Sequence, residues 1–174
     1  FRLEGSLKMQ NIAFLDGGLG QEVNKRSGRD ISHPLWSVQV MIEEPEIVVA
    51  VHKEFLRAGA RVITANNYSA TSARLAQHGI EDKFFEIHQL ATSLAHQAVA
   101  ETFPEPYDQK GANVAGVLPP LVASYHVPAE QSYQDCYDQY CNIIAAQADH
   151  VDVFLVETMS SITEARAALS SLKA

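Results

Sequence analysis

Cysteine is scarce in this sequence and tryptophan scarcer. Two cysteines, Cys136 and Cys141, are too few for a disulfide framework in 174 residues, so a reducing, cytoplasmic setting is expected. They lie five positions apart on a predicted helix and so on different faces, which is not the spacing of zinc ligands. Basic residues are also in deficit. Thirteen Lys and Arg stand against 21 Asp and Glu, a formal net charge of -8, and such a surface repels phosphate backbones. No nucleic-acid partner is expected. No stretch approaches the ~20 consecutive apolar residues of a membrane-spanning helix, so no membrane partner is expected either. Phe1-Arg2-Leu3-Glu4-Gly5-Ser6 lacks the charged start and apolar core of a secretory signal. Residues 1–8 read as an appended remnant or a disordered lead, with Met9 as a native start and 9–174 as one partial domain.

What is present is ordinary soluble-protein composition, 47% hydrophobic and 20% charged, arranged in an informative order. Asn11 to Asp16 carries the apolar run Ile12-Ala13-Phe14-Leu15, ended by glycines, which predicts a buried parallel strand. Pro45-Glu46 opens a helix with Ile47, Val48, Val51 and Phe55 on its apolar face, and Ala58-Gly59 ends it. A second strand is expected at Arg61 to Ala65, then a short helix from Ser69 to Gln77 and a long one from Glu81 to Thr102. The long helix turns Phe84, Ile87, Ala91, Leu94 and Ala98 to one side, and Tyr107 to Gly111 reads as a polar turn. The third strand is Ala112 to Leu118, closed by Pro119-Pro120. A helix from about Ser132 to Ala148 follows, its inner face Tyr133, Cys136 or Tyr137, Tyr140 and Ile144. The fourth strand is Asp152 to Val156, and the last helix, Ile162 to Leu172, spaces Ile162, Ala165, Leu169 and Leu172 cleanly.

Strand and helix alternate throughout, so the class is α/β with a parallel sheet. A small open sheet and the N-terminal (β/α)4 half of a TIM-type (β/α)8 barrel fit this order equally; a closed barrel needs ~250 residues.

In either architecture, functional groups gather where strands end. Those ends read Asp16-Gly17-Gly18, Thr64 with Asn66 and Tyr68, Pro119-Pro120 with Ser124-Tyr125, and Glu157-Thr158. Asp16 and Glu157 suit a ligand ammonium, since charge-assisted hydrogen bonds are the stronger kind. The Gly17-Gly18 turn allows backbone N–H groups to approach a ligand carboxylate, so the set suits an amino acid. The plainer reading is that Asp16 caps a turn and Glu157 caps a helix. The glycine run lacks both the G-x-G-x-x-G spacing of a dinucleotide site and the lysine of a P-loop. Trp36, on a long loop expected after the first strand, and Tyr68 read either as core filler or as walls of a pocket. The histidines form no ligand set: His52, His88 and His96 fall on helices, His33, His126 and His150 in loops or near helix ends, each read as solvated or satisfied.

At these strand ends the sequence resembles the homocysteine S-methyltransferase family, which includes betaine- and S-methylmethionine-dependent enzymes and the homocysteine domain of methionine synthase. The matching segments are Leu15-Asp16-Gly17-Gly18-Leu19-Gly20-Gln21-Glu22, Pro34-Leu35-Trp36-Ser37, the run from Val51 to Ala60, the run from Val62 to Thr71, Leu118-Pro119-Pro120 with Ser124-Tyr125, and Glu157-Thr158-Met159 with Glu164-Ala165. The resemblance implies that Asp16, Gly17 and Glu157 contact the amino-acid moiety of homocysteine. It places Thr64 and Asn66 nearby, and gives the methyl-donor side to Trp36 and Tyr68. Gln21 stands where the family often has threonine, and Asn66-Asn67 varies a segment usually richer in Thr or Ser. The family activates homocysteine as a zinc thiolate through cysteines on later strands, positions that Cys136 and Cys141 do not match. The resemblance therefore implies zinc for the parent protein, but gives this chain no metal ligand and no catalytic residue. The expected partners are homocysteine and a small methyl donor, with methionine as product. The other reading is a non-catalytic half-barrel, an amino-acid-binding or association module whose unpaired strand edges favour a homo-oligomer.

Overall fold

The central strand is β2, Asn113–Leu118, whose residues beyond Asn113 are all buried. It lies between β1, Val62–Thr64, and β3, Val153–Val156, in a three-stranded parallel sheet of order β1-β2-β3. Val62 pairs with Asn113, and Leu118 with Val156. A Cβ on Gly116 would lie 2.7 Å from the ring of Phe154, its cross-strand partner, so glycine is what allows that aromatic to lie over β2. The computed structural model describes residues 12–28, 35–104, 111–125 and 132–174. The expected lead at 1–8, Met9, His33, His126 and most of the turn at 107–111 lie outside these.

Seven helices surround the sheet among the described residues: α1 Leu19–Ser27, α2 Ser37–Glu43, α3 Pro45–Arg57, α4 Ser72–Ala76, α5 Phe84–Thr102, α6 Tyr133–Ala145 and α7 Ile162–Ser171. The α/β class and parallel sheet follow the expectation, and so does α5, where Phe84, Ile87, Ala91, Leu94 and Ala98 are all buried. None of the helices is long and apolar enough to cross a membrane.

Four expectations need correction. The first strand is reduced to a single bridge, Leu15 to Val62. Phe14 O accepts from the N–H groups of Arg61 and Val62, and Asp16 N–H donates to Val62 O, but Ile12 and Phe14 remain 64% and 63% exposed. This segment is a sheet edge, not a strand buried on both faces. The loop after it holds two helices: α1, which buries Leu19 and Val23 and stops at Gly28 in the left-handed region (φ 67°), and α2. On α6 the buried set is Cys136, Tyr140 and Ile143, leaving Tyr133 exposed and Ile144 only partly buried. On α7 the apolar stripe faces outward. Ile162 is 80% and Leu169 53% exposed, while Glu164, Ala167, Ala168 and Ser171 are buried. Small residues let α7 pack closely on α6, and that fit decides which face turns inward.

Of the helical histidines, His88 and His96 are satisfied by hydrogen bonds as expected, and His52 departs from expectation. His52 on α3 and His88 on α5 are both buried. The Ala70 carbonyl can only accept, so His88 Nε2 donates to it (3.0 Å) and Nδ1 accepts from Asn67 Nδ2 (2.9 Å), which fixes a neutral tautomer. Neither ring nitrogen of His52 has a hydrogen-bond partner among the described residues. Burial brings both imidazoles down from 6.5 to about 4. With the folded value below the unfolded one, their stabilisation is complete above the ordinary histidine range. It is lost as pH falls through about 4, roughly 3 kcal/mol per histidine. His52→Leu should therefore remove about half of the histidine-dependent loss of stability measured by urea unfolding at neutral pH and near pH 4. An unchanged loss would show that His52 is not buried in neutral form.

Candidate functional site

Parallel strands leave the sheet on one side, and the segments that follow them meet there. Gly17, Gly18, Thr64, Asn66, Tyr68, Trp36 and Glu157 line one cavity of about 330 Å³, joined by Leu19, Gly20, Gln21, Ser37, Ala65, Ser124, Tyr125 and Thr158. Residues up to 141 positions apart, from Gly17 to Thr158, thus share a wall. Asp16 does not line the cavity directly. Its Oδ2 accepts from Thr64 N–H (2.8 Å) and Thr64 Oγ1 (3.0 Å), which fixes the carboxylate against the end of β1. A larger surface groove of about 520 Å³ is lined by helical residues of α3 and α5 alone, and its Lys53 is already paired with Glu101.

Both carboxylates are held above the usual range. Burial is the main cause for Asp16, opposed by its bonds from Thr64. Burial also leads for Glu157, and the negative charge of Asp16 adds to it. Two carboxylates raised by burial, one of them also by the charge of the other, favour a cation, because a positive group relieves both burial and repulsion. The uncapped N-terminus of α1 opens at the same cavity, with Gly18 at the cap position, and supplies the opposite polarity. An ammonium and a carboxylate on one small molecule match this pair of features.

The glycines serve packing as much as approach. A Cβ on Gly17 would sit 2.8 Å from the Phe55 ring, and one on Gly20 would sit 2.5 Å from the indole of Trp36. Asn66 is tied at both ends of its amide: Oδ1 accepts from Ser37 Oγ (2.7 Å) and Nδ2 donates to Ser37 O (3.0 Å). This buried pair fastens the loop after β1 to the start of α2 and brings Trp36 to the wall. The segments that hold Ser37 and Asn66 give no sign of the bond between them, since the partners are 29 residues apart. Tyr68 bonds through its hydroxyl to Ser124 Oγ (2.7 Å), joining the loops after β1 and β2.

Three non-glycine residues adopt positive φ among the described residues: Trp36 (49°), Tyr125 (59°) and Thr158 (56°). All three line this cavity. A β-branched threonine there is a true outlier, and strain of roughly 1–3 kcal/mol each persists only where the surroundings enforce it. Its concentration at one cavity makes that cavity the candidate functional site independently of the charges.

Cys136 and Cys141 lie on α6, and neither reaches this wall. Among the described residues no three His, Cys, Asp or Glu side chains come together as a metal would need. The donor set that the described residues bring to this cavity does not fit a zinc ion.

A family model described as homocysteine S-methyltransferase matches residues 13–174. The homocysteine S-methyltransferase of Escherichia coli (strain K12) is 28% identical over 184 aligned residues, covering 99% of this chain and 58% of that protein. The selenocysteine Se-methyltransferase of Brassica oleracea var. italica is 29% identical over 113 residues, 64% of this chain and 32% of that protein. Among solved structures, the metallated form of the homocysteine methyltransferase MmuM from Escherichia coli superposes with a TM-score of 0.84 at 27% identity, covering 96% of this chain and 60% of that one. The chain therefore spans somewhat under two thirds of the length of the Escherichia coli proteins, and its match covers about a third of the Brassica one.

Proposed function

The chain belongs to the homocysteine S-methyltransferase family, and on that premise we propose that its cavity binds the amino-acid end of homocysteine as part of a cytoplasmic methyltransferase that forms methionine. In this reading residues 9–174 are the N-terminal (β/α)4 portion of a (β/α)8 barrel, and the zinc-binding half lies outside this chain. The observation that carries the proposal is the electrostatic pairing of Asp16 and Glu157 beside the N-terminus of α1.

In this reading each residue of the site has a role. Glu157 takes the ammonium from the cavity wall, and Asp16, locked by Thr64, supplies the second negative charge. The backbone around Gly17 and Gly18 receives the carboxylate. The homocysteine side chain then extends toward Trp36 and Tyr68, where a small donor stacks. The reaction joins the donor methyl to the homocysteine sulfur, breaks the donor–methyl bond and releases the thiol proton. A free thiol has a pKa near ~8.5 and its thiolate is the nucleophile, so the parent protein requires activation that this chain does not provide.

Isothermal titration of this chain with reduced homocysteine, without added zinc, tests the binding half of the proposal. One site per chain is expected, with methionine competing for it. Saturation by neither amino acid would overturn it.

A further inference from the structure

Two loops supply Tyr68, Ser124 and Tyr125 to the cavity, one after β1 and one after β2. A single buried guanidinium holds both. Arg74 on α4 is 9% exposed. Its Nε donates to Val122 O (3.1 Å) in the second loop and its NH1 to Tyr68 O (3.3 Å) in the first. Its guanidinium carbon also lies 5.7 Å from the centre of the Tyr68 ring. The second loop is fixed next door as well: Glu164 Oε1 accepts from Leu121 N–H (3.0 Å), and the Tyr140 hydroxyl donates to Pro119 O (2.9 Å).

Stability alone is a poor account of this arrangement. Burying a guanidinium is costly, and an apolar side chain of similar volume often does as well or better at such positions. A planar fork, however, can reach two carbonyls at once while stacking on a ring, which neither a methionine nor a lysine can do. What the fork fixes is the meeting of Tyr68 and Ser124 at the cavity wall.

We propose that Arg74 is a positioning residue that joins the two loops and sets the Tyr68–Ser124 pair as the wall receiving the transferred methyl group. The assignment of that wall to the methyl side rests on the functional reading above; the coupling of the loops does not. Arg74 acts through Tyr68 and Ser124, so its loss affects a ligand that reaches them more than one that does not.

Trp36, the one tryptophan, lies on the same wall and reports occupancy by its fluorescence. Methionine carries the methyl group and reduced homocysteine lacks it, so the two are titrated against the chain and its variants. In Arg74→Met the Kd for methionine should rise about tenfold and that for homocysteine less than about twofold, the worth of roughly one well-placed contact. Arg74→Lys should rescue only part of the methionine loss. The effect of Tyr68→Phe should largely vanish in the Arg74→Met background, since both act on one pair. Amide hydrogen exchange without ligand provides the second measurement. Arg74→Met should speed exchange in residues 66–71 and 119–125 together while α5 is unchanged. Equal weakening of both amino acids, full additivity with Tyr68→Phe, or faster exchange in one loop alone would each overturn the proposal. If the unaltered chain bound neither amino acid, the functional reading would fail, and exchange in the two loops would decide the role of Arg74 by itself.

Discussion

Glu157→Gln should lower the affinity for homocysteine by about tenfold to a hundredfold, with little change in the folded structure, because it removes one charge and almost no volume. A hydrogen bond to a charged group is worth roughly 1.5–3 kcal/mol, and the ammonium loses that without gaining a substitute. Asp16→Asn should follow in direction. Its amide oxygen can still accept from Thr64, so the change isolates the charge from the bonds that fix the end of β1. The double variant should cost less than the sum of the two, since the carboxylates act on one cation. The pH dependence has a definite sign. Both carboxylates protonate above their ordinary range in the unliganded chain, and an ammonium draws them back to the charged form. Affinity for homocysteine should therefore fall on acidification before ordinary carboxylates titrate, and binding in that range should release protons. Calorimetry in buffers of different ionisation enthalpy measures the release. Proton uptake, or affinities unchanged in both single variants, would remove the carboxylates from the site.

Gly20→Ala is the second large effect. Helix propensity alone favours alanine by about 1 kcal/mol in α1. Against this, the new methyl would lie 2.5 Å and 2.8 Å from two atoms of the Trp36 ring and 3.0 Å from Ser37 Oγ. Trp36 is already held at positive φ, and Ser37 is tied to Asn66, so neither neighbour yields easily. Overpacking of this kind typically costs 1–3 kcal/mol, so the steric term should win and push the indole out of the wall. The expected result is a lower urea midpoint, a shifted Trp36 emission and weakened homocysteine binding. Gly18→Ala is the matched control for stability and Trp36 emission, not for binding, since Gly18 lines the cavity itself. Its nearest neighbour, at 3.3 Å, is the far end of the flexible Gln21 side chain. If both variants kept wild-type emission and stability, the close fit of Gly20 to Trp36 would be wrong.

The candidate site was legible in the sequence because parallel strands all end on the same side. Gly17, Gly18, Thr64, Asn66 and Glu157 could be gathered from strand ends alone, and the structure places them on one wall with Trp36 and Tyr68. What those residues do there was less legible. Asn66 spends its amide on Ser37, Thr64 is bonded to Asp16, and the glycines leave room for Phe55 and Trp36. Such pairings join residues far apart in the chain and leave no local pattern.

By itself the sequence determined the α/β class, the parallel sheet, the long α5 with its buried face, and the carboxyl-end residues that share the cavity. Local rules suffice for these, because hydrophobic period and turn residues act over a few positions. Only the tertiary structure decided which of two plausible faces turns inward. The stripe of Ile162, Leu169 and Leu172 reads as core, yet small Ala167 and Ala168 are what fit against α6. It also decided that Ile12 to Leu15 is an edge, that His52 and His88 are buried, and that Arg74 joins two loops. Periodicity tells which side chains share a face; shape complementarity between distant segments settles what that face meets.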